Sequence, residues 1–352
     1  MSARLEIDLR KIHHNAHVLV KRLAVHNISV TGITKSTLGS PAIAEVLLRA
    51  GVLMLGDSRI ENIEKLRKAN EKVSISLIRS PILSQIERVI EFTDTSFNTE
   101  FETIAALSAA AKAIGKTHGV VLMVELGDLR EGIMPCNLES MVGAINKLPN
   151  IDFKGIGTNL ACRNGVTPDD KNMAELSELA NSIDTTFGSV MSIVSGGNSA
   201  NLDWVFSGSG TGRINNLRLG ESILLGRNPL NREPIHELYT DVFKLFGEVI
   251  EFKVKPAQPW GELAQAAFGT TQLKNNEGNI SQVLLAIGKQ DTDTDGLTPP
   301  SGLEILGASS DHIILNANEN HLAIGDEIEF EMNYSALLRS MTSPFVNKII
   351  HE

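Results

Sequence analysis

Residues 29–58 read SVTGITKSTLGSPAIAEVLLRAGVLMLGDS. The β-branched run at 29–35 ends in a lysine, PAIAEVLLRA has helical composition, and VLMLGDS at 52–58 is apolar again. Strand, helix, strand is one βαβ unit, and βαβ units pair their strands in parallel. The alternation continues through strand-like runs at 72–78 (KVSISLI), 94–99 (DTSFNT), 119–126 (GVVLMVEL), 152–160 (DFKGIGTNL), 190–197 (VMSIVSGG) and 216–222 (NLRLGES). Helix-like stretches such as IENIEKLRKA, EFETIAALSAAAKAIG and PDDKNMAELSELANSI lie between them. Ile104, Leu107, Ala111 and Ile114 share one helical face. Eight such strands close most simply into an α/β fold, a (β/α)₈ TIM barrel. An open, doubly wound sheet is the competing arrangement.

The pattern changes after about residue 230. Segments 241–254, 282–288, 303–307, 311–316 and 326–332 read as strands, with turns at NNEGN and DTDTDG. IGDEIEFEM alternates apolar and acidic residues, as a half-buried strand does. The expected division is a barrel over 12–230 and a C-terminal β domain over 231–352, joined by 1–11. A length of 352 residues suits two domains at about 150 residues each.

Lys plus Arg total 32 and Asp plus Glu 42, a net charge of −10 with no basic block, so a nucleic-acid partner is not expected. No apolar run reaches membrane-span length, and MSARLEIDLRKIHH lacks the apolar core of a signal peptide. Cys136 and Cys162 are too few for a disulfide framework, which fits a reducing, cytoplasmic setting. No metal site is expected.

A barrel binds ligands at the C-terminal ends of its strands. That rule selects Lys35, Asp57, Arg59, Asp128, Arg130, Asn159, Cys162, the loop Ser195-Gly196-Gly197-Asn198-Ser199, Arg218, Gly220, Glu221 and Ser222. Lys35 closes a mostly apolar strand. It either snorkels to the rim or serves as a Schiff-base amine whose pKa burial lowers. SGGNS and RLGES each combine glycine with serine, where barrels often bind phosphate. Lysine opposite a phosphate cup suggests pyridoxal 5′-phosphate. Arg130, flanked by acids in LGDLREGI, is a surface salt-bridging residue or an anion clamp. Arg218, inside a strand, needs a partner, and facing a pyridine nitrogen it would keep that nitrogen unprotonated.

These residues together resemble the fold type III pyridoxal-phosphate enzymes of the alanine racemase group. LEIDLRKIHHNAHVL is similar to that group's first strand and helix. The resemblance implies that Lys35 is the Schiff-base lysine, and that Arg130 lies near the cofactor phenolate and substrate carboxylate. It places SGGNSAN on the phosphate loop, Arg218 at the pyridine nitrogen and Tyr334 on the phosphate. VELGDLREGI, KGIGTNLAC, IVSGGNSAN, NLRLGESILLGR, LAIGKQDTD and EILGASSDHIIL resemble the ornithine racemases across nearly the whole chain. The implied reaction is reversible inversion of an amino acid, ornithine first among the candidates, by Cα proton abstraction. The implied assembly is a head-to-tail homodimer in which the β domain completes the partner's site.

One departure matters. The group's second base is a tyrosine in a Tyr-Gly pair, and Trp260-Gly261 stands there. Asn159 replaces the group's strand 6 histidine. Candidates for the second base are Asp311 with His312, then Cys162, and third Asp291 and Asp293, which otherwise read as a solvated turn. Asp311 otherwise reads as a turn residue, and Cys162 as a small buried thiol. A second substrate ammonium would call on Asp291, Asp293, Asp128, Glu131 or Glu221. Racemases of alanine, lysine or serine fit the same chemistry, as does a non-catalytic carrier of the cofactor. A fold type III decarboxylase does not, because it would place glutamate where Arg218 stands.

Overall fold

The computed structural model describes residues 3–188, 190–208, 210–268 and 278–352. The chain divides into two units, Lys11–Thr240 and Met1–Arg10 with Asp241–Glu352. It opens on β1 (Arg4–Asp8), a strand of the second unit.

The first unit is a closed parallel barrel of β2 (Ser29–Ile33), β3 (Met54–Asp57), β4 (Ile75–Leu77), β5 (Thr95–Asn98), β6 (His118–Met123), β7 (Ile151–Gly157), β8 (Ile193–Gly197) and β9 (Asn216–Leu219). The last strand pairs back onto the first, with Thr31 opposite Arg218, so the open-sheet alternative is excluded. Outside run α1 (Leu9–Ala24), α2 (Pro41–Arg49), α3 (Ile60–Ala69), α4 (Ile86–Phe92), α5 (Phe101–Ala113), α6 (Pro135–Ile145), α7 (Asp170–Phe187), α8 (Leu202–Phe206) and α9 (Glu221–Leu225). Local signals explain their limits. Asp169 and Asn172 cap α7 reciprocally, and Gly188 ends it in the left-handed region at φ 63°. Ile12, Ala16, Leu19 and Leu23 recur at helical spacing on α1 and are fully buried. Phe97, Val121 and Met123 pack with Ile78 and Ile193 in one apolar cluster.

The second unit is an antiparallel sheet built on β10 (Phe243–Pro256), β11 (Asn279–Leu285), β12 (Leu297–Thr298), β13 (Glu304–Ala308), β14 (Ile313–Asn316) and β15 (Glu327–Met332). Tyr334–Thr342 forms α10, and β16 (Asn347–His351) pairs in parallel with β1. In β15, Ile328, Phe330 and Met332 are buried, as the alternation requires. The turn expected at NNEGN begins in 275–277, outside the described residues.

The units part at Asp241, ten residues beyond the expected boundary at 231. The reason is local. Asn15 on α1 donates to the Tyr239 carbonyl and accepts from the Tyr239 amide, both at 2.8 Å. That exchange ties the segment before β10 to the barrel. Among the described residues, no helix is long and apolar enough to cross a membrane.

Candidate active site

At the mouth of the barrel, β2 gives way to a tight turn. The Thr34 amide donates to the Gly56 carbonyl at 3.0 Å, and the chain bends over 35–38 with Leu38 at φ 54°. This carries Lys35, half-buried, among Arg130, Cys162, Arg218 and Asp57. Burial pushes its ammonium below the usual lysine range. Arg130 and Arg218 push the same way, while Cys162 and Asp57 oppose them.

Arg218 is buried on β9 and hydrogen-bonds only to neutral groups: Ser195 Oγ, the Thr158 carbonyl at 2.6 Å and Asn159 Oδ1 at 3.4 Å. Burial, with Arg130 adding, lowers its guanidinium to about 10. Ser195 also donates to Asn216 Oδ1 at 2.7 Å, so its hydroxyl is committed to supporting Arg218. Asn159 Oδ1 accepts from Asn198 Nδ2 at 3.2 Å as well, yet Asn159 Nδ2 is buried with no partner. Exchanging the two amide atoms would set a donor against two donors, so the unused Nδ2 is a true orphan.

Arg130 donates to Cys162 Sγ at 3.0 Å and pairs with Glu131. Burial would lower this guanidinium, but Glu131 holds it above its ordinary value. Cys162 is exposed rather than a small buried thiol. Its loop is held by Asp128, whose carboxylate accepts from the amides of Cys162, Arg163, Asn164 and Val166 at 2.8–3.3 Å. Burial would raise Asp128, yet those four N–H groups bring it below the usual carboxylate range. Asp128 therefore holds the loop and has no oxygen left for a substrate ammonium. The sequence carried no signal for this role, because the bonds join residues more than thirty positions apart.

Two serine loops meet beside these groups. Ser199 Oγ accepts from the Ser222 amide at 3.1 Å and the Ser222 hydroxyl at 2.9 Å. Gly197, at φ 144°, lies so close to Asn201 that a Cβ would fall 2.3 Å from its Oδ1. Asn198 Oδ1 accepts from the Ala200 amide, closing that loop. A Cβ on Gly220 would meet Ile33 at 3.1 Å, and one on Gly157 would meet Ser195 at 3.1 Å, so glycines let these segments pack closely. Glu221 pairs with Arg232, a partner the sequence did not suggest, and burial raises its carboxyl.

With this geometry in place, the chain can be compared with known proteins. Residues 7–228 match the family model described as alanine racemase, N-terminal domain. An ornithine racemase of Acetoanaerobium sticklandii is 39% identical over 99% of both chains. The chain belongs to the alanine racemase family. It is an amino-acid racemase of that family. A lysine racemase of Thermotoga maritima is 35% identical over 98% of both chains. The alanine racemase of Bartonella henselae, solved with covalently bound pyridoxal phosphate, covers all of both chains at a TM-score of 0.75 and 19% identity, a likeness of fold.

The remaining candidates of the racemase lie in its sheet unit. Asp311 is exposed between β13 and β14, where it accepts from Gln290 Nε2 and Ser310 Oγ, both at 2.7 Å. His312, half-buried, lies near Ser309 Oγ at 3.4 Å. Asp291 is buried and accepts from Ser343 Oγ at 2.7 Å, while Asp293 accepts from Ser335. Tyr334 opens α10, half-buried, and Trp260 is 82% exposed.

Proposed function

We propose that ornithine is the amino acid this racemase inverts, and that pyridoxal 5′-phosphate carried on Lys35 is its cofactor. The single observation that carries the cofactor reading is the half-buried Lys35 amine, its charge disfavoured, set beside Arg130 and Arg218. The 39% identity to an ornithine racemase over the full length carries the substrate.

The residues present fit that cofactor. The orphan Asn159 Nδ2 is a buried donor in need of an acceptor. The close-packed glycine loops bring the Asn198 side chain and the Ser199 and Ser222 hydroxyls together, a cup suited to phosphate. Arg218, backed by Ser195, would meet the ring nitrogen, and Arg130 would clamp the phenolate or the substrate carboxylate. Glu221 would border the cup, and Tyr334 would supply the further phosphate contact that the family likeness implies. When bound, pyridoxal phosphate supplies the electron sink that acidifies the Cα hydrogen.

Inversion needs a proton taken from one face of Cα and one returned to the other. Lys35 serves one face. For the other face we favour Cys162, which Arg130 holds in the same mouth. Asp311 with His312 is the second assignment, because both stand in an accessible turn of the sheet unit. In a head-to-tail homodimer they would serve the partner's site. Asp291 would receive the terminal ammonium of ornithine from that same unit through its remaining carboxylate oxygen.

The test is deuterium exchange at Cα across a panel of L- and D-amino acids. Ornithine should exchange fastest. Faster exchange of lysine, alanine or serine reassigns the substrate, and no exchange with any of them leaves a cofactor carrier. Cys162→Ala should abolish racemisation while Asp311→Ala/His312→Ala retains it. The reverse moves the second base to the partner.

A further inference from the structure

We propose that Asp57 is the positioning residue of Lys35: through Thr34 its carboxylate fixes the turn from which the lysine side chain leaves the barrel, and it sets a buried negative charge near the amine. The inference rests on the assignment of Lys35 as the reactive amine.

Asp57 ends β3, beside the end of β2, and is fully buried. Its oxygens divide their work. Oδ1 accepts from the Arg59 amide at 2.9 Å and from Asn62 Nδ2 at 3.1 Å, which shapes the entry to α3. Oδ2 accepts from Thr34 Oγ1 at 2.7 Å. An aspartate that only capped α3 would need Oδ1 alone and could stay in water. Burying a carboxylate among neutral donors costs stability, so the arrangement calls for a compensating use.

Thr34 is the residue immediately before Lys35, and each of its polar atoms is held. Its amide donates to the Gly56 carbonyl at 3.0 Å, and its carbonyl accepts from Thr37 Oγ1 at 3.0 Å and the Gly39 amide at 3.2 Å. Gly39 is required there, because at φ 61° a Cβ would sit 2.8 Å from Asn62. Thr34, Asp57, Asn62 and Gly39 thus form one clamp under the lysine. The charged and titratable groups around the amine are Arg130, Arg218, Cys162, Glu221 and Asp57. The two arginines oppose a charged amine. Asp57 opposes them, in a buried position that solvent does not screen.

The test uses the full-length chain, stripped of cofactor with hydroxylamine and labelled with trace acetic anhydride across pH. Lys35 acetylation is read by mass spectrometry against the exposed lysines, and thermal unfolding checks the fold. Wild-type Lys35 should label with a midpoint below that of the exposed lysines. Asp57→Asn keeps the shape and removes the charge, so the midpoint should fall by about half a pH unit or more. Thr34→Val should cut the plateau reactivity of Lys35 several-fold, and Thr34→Ser should restore it. A folded Asp57→Asn with an unchanged midpoint, or Thr34→Val with an unchanged plateau, overturns the proposal. Should Asp57→Asn fail to fold, the two Thr34 variants decide alone. Wild-type Lys35 that labels like an exposed lysine removes the functional reading too, which separates that failure from failure of the clamp alone.

Discussion

The two ends of the barrel treat charge in opposite ways. At the N-terminal end, every nitrogen of Arg67 has a partner: it donates to the carbonyls of Phe92, Glu71 and Val73 and pairs with Asp94 at 2.8 Å. His118 nearby is buried as a neutral ring against Ser96 at 2.8 Å. At the mouth, Arg218 is buried among neutral partners, Lys35 faces two guanidiniums, and Asn159 keeps an unused donor. One end is arranged for stability. The other holds groups at a cost that only a bound ligand would offset.

The sharpest break in that contrast is Lys35→Ala, which should lower racemisation by at least about a thousandfold while leaving the melting temperature unchanged or raised. Arg218→Met should lower racemisation about a hundredfold, yet change stability by no more than about 1 kcal/mol, because a buried cation without a carboxylate contributes little to the fold. Steady-state kinetics beside chemical denaturation checks both, and a large stability loss in Arg218→Met would erase the contrast.

His118 gives the acid test of the opposite end. Burial depresses its pKa from 6.5 to about 4. Between those values the unfolded chain binds the extra proton, so stability is present above about pH 6.5 and is lost as pH falls toward 4. The loss is on the order of 3 kcal/mol at most. Denaturation of wild type and His118→Gln across that window should show a flatter pH dependence in the variant. The smallest effect is expected from Arg67→Met, which should destabilise by about 2 kcal/mol with turnover per folded molecule unchanged. A fall in turnover there would mean that the two ends are coupled.

One side of this contrast, the mouth, was readable in the chain. The alternation from 29 to 222 gave all eight barrel strands, because a parallel strand buried on both faces leaves a near-continuous apolar run. The rule that ligands sit at strand C-termini is enough to collect Lys35, Asn159, Cys162 and Arg218. The burial of Asp57, the commitment of Asp128 to four amides and the pairing of Glu221 with Arg232 were not readable. An aspartate before a loop has the same local appearance whether it faces water or a neighbouring loop.

What the sequence determined by itself is therefore the periodic part: the barrel, the alternating sheet strands, the family, and the residue types at strand ends. Periodicity and turn chemistry are local, so they survive without contacts. Only the tertiary structure decided which charges are buried, which oxygens are already occupied and which donor is left over. Those are properties of the space between segments distant in sequence. Thr158 and Arg218 meet across sixty positions, and no local pattern records that they share one hydrogen bond.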